Sequence, residues 1–69
     1  MSDSVYKVIE LVGTHPESWD KAAAGAVERA AKTLRDLRIA EVMDQDLVIE
    51  NGAVKAFRTK LKVSFKFED

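Results

Sequence analysis

Glu50-Asn51-Gly52-Ala53 sets Asn-Gly between two runs of strand-forming residues. That dipeptide suits a type I′ turn, whose two central residues both need positive φ. The second half of the chain is therefore expected to fold back on itself as a long hairpin. With residues 50 and 53 flanking the turn, the pairing runs 49 with 54, 45 with 58, 41 with 62 and 39 with 64. After the turn, Phe57, Leu61, Val63, Phe65 and Phe67 alternate with Arg58, Lys60, Lys62, Ser64 and Lys66, so one face is core and the other is polar. The same register places Ile39, Glu41, Met43 and Gln45 on the outer face with Arg58, Lys60 and Lys62, and sets Glu41 opposite Lys62. It also sets Asp46 against Phe57 on the core side. A carboxylate facing an aromatic core residue is unfavourable, and the mismatch predicts a bulge near Asp44 to Leu47.

Upstream, Val5 to Val12 is rich in β-branched residues and stops at Gly13, the pattern of a short strand, with Lys7 and Glu10 on opposite faces. Thr14-His15-Pro16-Glu17-Ser18 then reads as a loop in which Thr14 or Ser18 caps a helix, since Pro16 cannot lie in a helix interior. Strong helix formers run from Trp19 to Leu37, and Ala23, Val27, Ala30, Leu34 and Leu37 make one apolar stripe. Because the stripe is mostly alanine, the helix is expected to sit close against a curved sheet. Residues 1–69 thus read as a single α+β domain of order β-α-β-β, a three-stranded antiparallel sheet wrapped around one helix.

A chain of 69 residues buries only about 60% of the surface its unfolded form exposes. It has no cysteine and a single histidine, which removes disulfides and makes a structural zinc site untenable. Self-association is the remaining source of stability, and it would also cover the sheet edges. Charged residues are 33% of the chain and nearly cancel to a net −1, which argues against a dedicated nucleic-acid binder. No apolar stretch approaches the roughly 18 residues of a membrane span, and residues 1–4 do not begin a signal peptide. The expectation is a cytoplasmic protein without membrane or nucleic-acid partners.

The residues that could carry chemistry are few. His15 has no partner for nucleophilic catalysis and reads as a surface loop residue. Trp19 could stack on a planar ligand, but an indole in the first helical turn more often staples that turn to the core. Asp44-Gln45-Asp46 offers two carboxylates and an amide, part of a hard-cation shell that neighbouring copies would have to complete. Arg58, Lys60, Lys62 and Lys66 form a basic stripe that could meet phosphate, or pair with Glu41 and carboxylates of neighbouring copies. There is no phosphate loop, metal-binding helix motif or nucleophile elbow. The chain is expected not to be an enzyme.

Val5-Tyr6-Lys7-Val8-Ile9-Glu10-Leu11-Val12-Gly13-Thr14, the alanine-rich helix running into Arg29 to Leu37, Ala40-Glu41-Val42 and Leu61-Lys62-Val63-Ser64-Phe65 together resemble the dodecin family across nearly the whole chain. The resemblance implies a hollow homododecamer that stores or sequesters flavin, riboflavin or its phosphate FMN, without catalysis. In flavin-binding members a Trp stacks on the isoalloxazine ring and a Gln hydrogen-bonds its edge. Those positions here are Ile39 and Arg58, so both contacts are changed: Ile39 offers no π face, and Arg58 offers no acceptor. If stacking is worth on the order of 1–3 kcal/mol per ring face, its loss weakens binding about tenfold to a hundredfold. By this resemblance the flavin position would be lined by Ile39, Glu41, Asp44, Gln45 and Arg58. The substitutions and Pro16-Glu17-Ser18-Trp19 are similar to a flavin-poor, calcium-binding branch. The alternative to flavin is therefore a shell that binds a divalent cation such as calcium through Asp44, Asp46 or Glu41 where copies meet, or that serves as a structural or partner-binding scaffold.

Overall fold

The computed structural model describes residues 4–66. Its elements run β1 (Tyr6–His15), α1 (Trp19–Ala30), β2 (Leu37–Glu50) and β3 (Ala53–Lys66). The sheet order is β1-β3-β2, antiparallel throughout, so the α+β, β-α-β-β reading holds. Asn51 and Gly52 take φ of 52° and 78°, the two positive values that a type I′ turn requires. Phe67 lies outside the described residues.

β1 continues past Gly13 to His15, three residues beyond the expected stop. Gly13 is present for closeness to α1: a Cβ there would stand 2.2 Å from the carbonyl oxygen of Ala22 and 3.0 Å from the Cβ of Ala26. Small side chains thus do let the helix press against the sheet. Ala23, Val27 and Ala30 of the expected stripe are half-buried, and the closest approach to the sheet is made by two alanines outside it, the buried Ala22 and Ala26.

The helix opens at Ser18, whose Oγ accepts the Lys21 amide at 3.2 Å. It ends at Ala30, not Leu37. Thr33 Oγ1 donates back to the Ala30 carbonyl at 3.4 Å, and the amides of Thr33 and Leu34 reach that same carbonyl. This closes the last turn, and Asp36 then reverses the chain with φ 59°. Leu37 belongs to β2 and pairs with Phe65. The helical spacing of Leu34 and Leu37 came from their common burial, which a turn leading into a strand also achieves.

The hairpin register agrees with expectation at 49 with 54, 41 with 62 and 39 with 64, and departs from it between them. Two irregularities lie near Asp44 to Leu47, one on either side, so a bulge falls next to the expected segment. Lys55 is the extra residue on β3 near the turn, and Met43 is the extra residue on β2. Between them the strands are offset by one, so Leu47 faces Phe57, Asp46 faces Arg58 and Gln45 faces Thr59. The offset resolves the Asp46–Phe57 conflict: an apolar residue meets the phenyl ring, and the carboxylate moves to the outer face to meet a guanidinium.

The core of one copy is small. Among the described residues, Ala22, Leu61 and Val63 are the buried hydrophobic side chains, with Thr59 also buried and donating to the Trp19 carbonyl at 2.9 Å. Tyr6, Val8, Val12, Ile39, Val42, Ile49 and Val54 are all exposed, along a body measuring 56 × 20 × 14 Å. Among the described residues, a single copy leaves about half of its large apolar side chains exposed and most of the rest only half-buried.

Candidate functional site

The face of the sheet turned away from α1 carries nearly all the candidate ligand residues. Its make-up follows from the strand order, because β3 lies in the middle and its even-numbered residues from 58 to 64 each have a neighbour on both sides. Cross-strand rows run Val8–Ser64–Ile39, Glu10–Lys62–Glu41, Val12–Lys60–Asp44 and Thr14–Arg58–Asp46. The central column is basic apart from Ser64. The flanks hold carboxylates on β2 and aliphatic residues and Glu10 on β1.

Asp44 and Asp46 share this face, since no irregularity lies between them. Gln45, between them, falls on the helix-side row opposite Thr59. Four of the five candidate ligand residues, Ile39, Glu41, Asp44 and Arg58, are therefore on one face, and the register places Gln45 on the other. Met43, expected beside them, is the extra residue of the bulge and borders an open cleft of about 340 Å³ with Glu10, Val12, Asp44, Lys60 and Lys62.

Among the described residues, Arg58 and Asp46 form a salt bridge on this face, alongside a longer contact in which Ser64 Oγ donates to the Ile39 carbonyl at 3.4 Å. Arg58 Nε donates to Asp46 Oδ1 and Nη2 donates to Oδ2, both at 2.7 Å, a forked geometry that fixes both planes. The hydrogen bonds from Arg58 hold the Asp46 carboxyl below the usual carboxylate range, and Asp46 in turn raises the guanidinium. The Asp46 backbone is also anchored, because Trp19 Nε1 donates to its carbonyl at 3.1 Å while the indole packs edge-on against Phe57 at 5.1 Å. Trp19 is thus a staple between α1 and the hairpin. By contrast, Glu41 and Asp44 face Lys62 and Lys60 across the strands without an ion pair among the described residues.

Because the folded-state pKa of Asp46 is depressed, the pair's contribution to stability is present above the unfolded carboxylate value of about 3.9 and is lost as pH falls through the lower folded value. Arg58→Gln is expected to flatten the acid limb of a plot of unfolding midpoint against pH, leaving the limb above about pH 5 parallel to wild type. Identical acid limbs in both proteins would show that the pair contributes nothing measurable.

Among the described residues, no group of three or more His, Asp or Glu side chains is arranged to hold a metal ion. Asp46 has both oxygens committed to Arg58, which leaves Asp44 and Glu41 as the uncommitted carboxylates of β2 on this face. The flavin contacts fare no better within one copy. Ile39 is 67% exposed, and it lies six residues of β3 from Arg58, roughly 20 Å. The Arg58–Asp46 pair and the buried Thr59 are the features that sequence reasoning missed. The pair follows from shifting the central register by one residue, a shift for which the Asp46–Phe57 clash was the signal, while Thr59 simply continues the core row of β3 between Phe57 and Leu61.

Comparison with known proteins gives one answer. The family model described as Dodecin matches residues 5–68. Calcium dodecin from Mycobacterium tuberculosis is 49% identical over 63 residues, covering 91% of this chain and 89% of the relative. Dodecin from Thermus thermophilus is 42% identical over 65 residues, covering 94% of each. Among solved structures, dodecin from Streptomyces coelicolor superimposes with a TM-score of 0.93 at 42% identity, covering 100% of this chain and 99% of the other. The crystal structure of the calcium dodecin from M. tuberculosis, which has a calcium-binding site, superimposes with a TM-score of 0.84 at 48% identity over 94% of this chain and 93% of the other.

Proposed function

This chain belongs to the dodecin family, and from that premise we propose that it works as a non-catalytic shell of twelve copies that binds and holds a small ligand. The observation that carries this reading is the contrast between a core of three apolar residues and a long row of exposed ones on both faces of the sheet. Burying that surface between copies is worth about 25 cal/mol per Å², which a domain this small needs. The same assembly brings outer-face residues of different copies together.

The ligand best matched to the outer face is a divalent cation of calcium's class. Two observations favour it. Glu41 and Asp44 are oxygen donors with no ion pair of their own among the described residues, and the relative at 49% identity is a calcium dodecin. Two carboxylates supply at most four of the six to eight oxygens such an ion takes, so the remainder would come from neighbouring copies or water. Asp46 would join only if Arg58 released it.

Flavin is the second reading, supported by the family's usual ligand, and the residues present fit its ring poorly. Ile39 brings no π face, and the Arg58 fork is turned to Asp46 and accepts nothing. If the flavin position is where the family places it, Ile39→Trp with Arg58→Gln should create flavin affinity, read as quenching of flavin fluorescence; no quenching would remove that placement.

Thermal unfolding with calcium and with chelator tests the cation reading. Ligand held only by the folded shell raises Tm by mass action, about 2.7 kcal/mol of stabilisation at a hundred times Kd. The expected result is a rise reversed by chelator and lost in the Glu41→Gln, Asp44→Asn double variant. A Tm that ignores calcium would overturn it.

A further inference from the structure

His15 closes β1 and is followed by Pro16, so the chain must turn at once toward the N-cap of α1 at Ser18. The turn is fastened by the imidazole itself. Glu17 N donates to His15 Nδ1 at 3.0 Å, the contact from side chain to backbone two residues on that Asn, Asp and Ser make in Asx and ST turns. A histidine in this role differs from those residues in one respect. Its Nδ1 accepts only while it carries no proton, with Nε2 as the donor.

We propose that His15 is a proton-operated latch on the β1–α1 turn. Protonation at Nδ1 sets an N–H against the Glu17 N–H, so the ring must leave that position. The surroundings reinforce this. Lys21 and Arg29 line the same groove from α1, along with Thr14 and Gly25, so a charged imidazole would add a third cation. Glu17, the carboxylate in the turn, is already paired with Lys21 at 2.5 Å. From β3 the residue opposite is Phe57, which has no charge to offer.

Opening the turn loosens the start of the helix. Ser18 caps α1, and Trp19, the next residue, packs on Phe57 and donates to the Asp46 carbonyl. The latch therefore reaches, through Trp19, the strand segment that carries the Arg58–Asp46 fork. The device belongs to this turn and does not depend on which ligand the shell holds.

The chain has one Trp and one His, so both ends of the coupling can be read directly. In the assembled wild-type protein, labelling the histidine nitrogens should show the tautomer protonated at Nε2 near pH 8. On acidification from about pH 8 to about pH 5, accessibility of Trp19 to acrylamide should rise as the turn opens. His15→Asn keeps an acceptor in reach of Glu17 N without the titration, so its Trp19 response should be flat; His15→Ser serves if the Asn variant does not assemble. Asp46 stays charged over this range because Arg58 holds its carboxyl low. An equal response in wild type and variant, a flat response in both, or a tautomer protonated at Nδ1 would overturn the latch.

Discussion

Replacing Leu61 with aspartate is expected to leave no assembled protein and no stable fold. Leu61 is 2% exposed at the centre of β3, with Leu11 opposite on β1 and Val42 opposite on β2. An ionised carboxylate there has no partner, and desolvating it costs several kcal/mol. A domain this short has little margin to absorb that loss. Leu61→Ala is the graded comparison: a cavity at this position should cost about 2–5 kcal/mol and lower Tm while the fold persists. Circular dichroism and sedimentation read both variants. A stable folded monomer of Leu61→Asp would mean that the core of one copy contributes far more than three buried apolar residues suggest.

Gly13→Ala should lower stability for a different reason, leaving a fold whose unfolding can still be followed. Its methyl group would meet the Ala22 carbonyl at 2.2 Å, with the Ala22 carbonyl carbon and the Ala26 Cβ at 3.0 Å. The closest atoms are backbone, so no side chain can rotate away, and α1 must lift off β1. Overpacking of this kind costs about 1–3 kcal/mol and occasionally more. The upper end is expected here because Ala22 and the Thr59 bond to Trp19 move with the helix. Gly25→Ala is the contrasting case. A Cβ there meets nothing within 4 Å, and replacing a helical glycine gains about 0.5–1 kcal/mol. Chemical unfolding of the two variants side by side should move the midpoint in opposite directions, and a tolerated Gly13→Ala would contradict the close approach of helix and sheet.

The hairpin, the two strand faces and the small-residue helix were legible because each rests on a local rule: positive φ at Asn51-Gly52, period-two alternation from Phe57 onward, and alanine at helical spacing. The helix end was not. Leu34 and Leu37 satisfy helical spacing, and the feature that stops the helix is Asp36 in the left-handed region, which no glycine announced. The central register was half legible. The Asp46–Phe57 clash pointed to an irregularity, yet the strands answered with two irregularities that cancel, at Lys55 and Met43. Only that arrangement restores the register at Glu41 and Ile39 while passing Asp46 to Arg58.

The candidate site shows the same division. Ile39 and Glu41 emerged on the outer face because their register was as expected, whereas Asp44 joined that face and Gln45 left it because the register there is off by one residue, which inverts a strand's faces. The ion pair of Asp46 with Arg58 was hidden by that same residue. How faces of different copies meet is set by shape over tens of ångströms, and no local pattern in the chain encodes it.

A native mass spectrum of the purified protein, taken before and after adding calcium, riboflavin or riboflavin phosphate, tests the central claim most directly. The account predicts about twelve times the 7.7 kDa chain mass, with bound ions that chelator removes and little or no added flavin. A monomer at every concentration would contradict it.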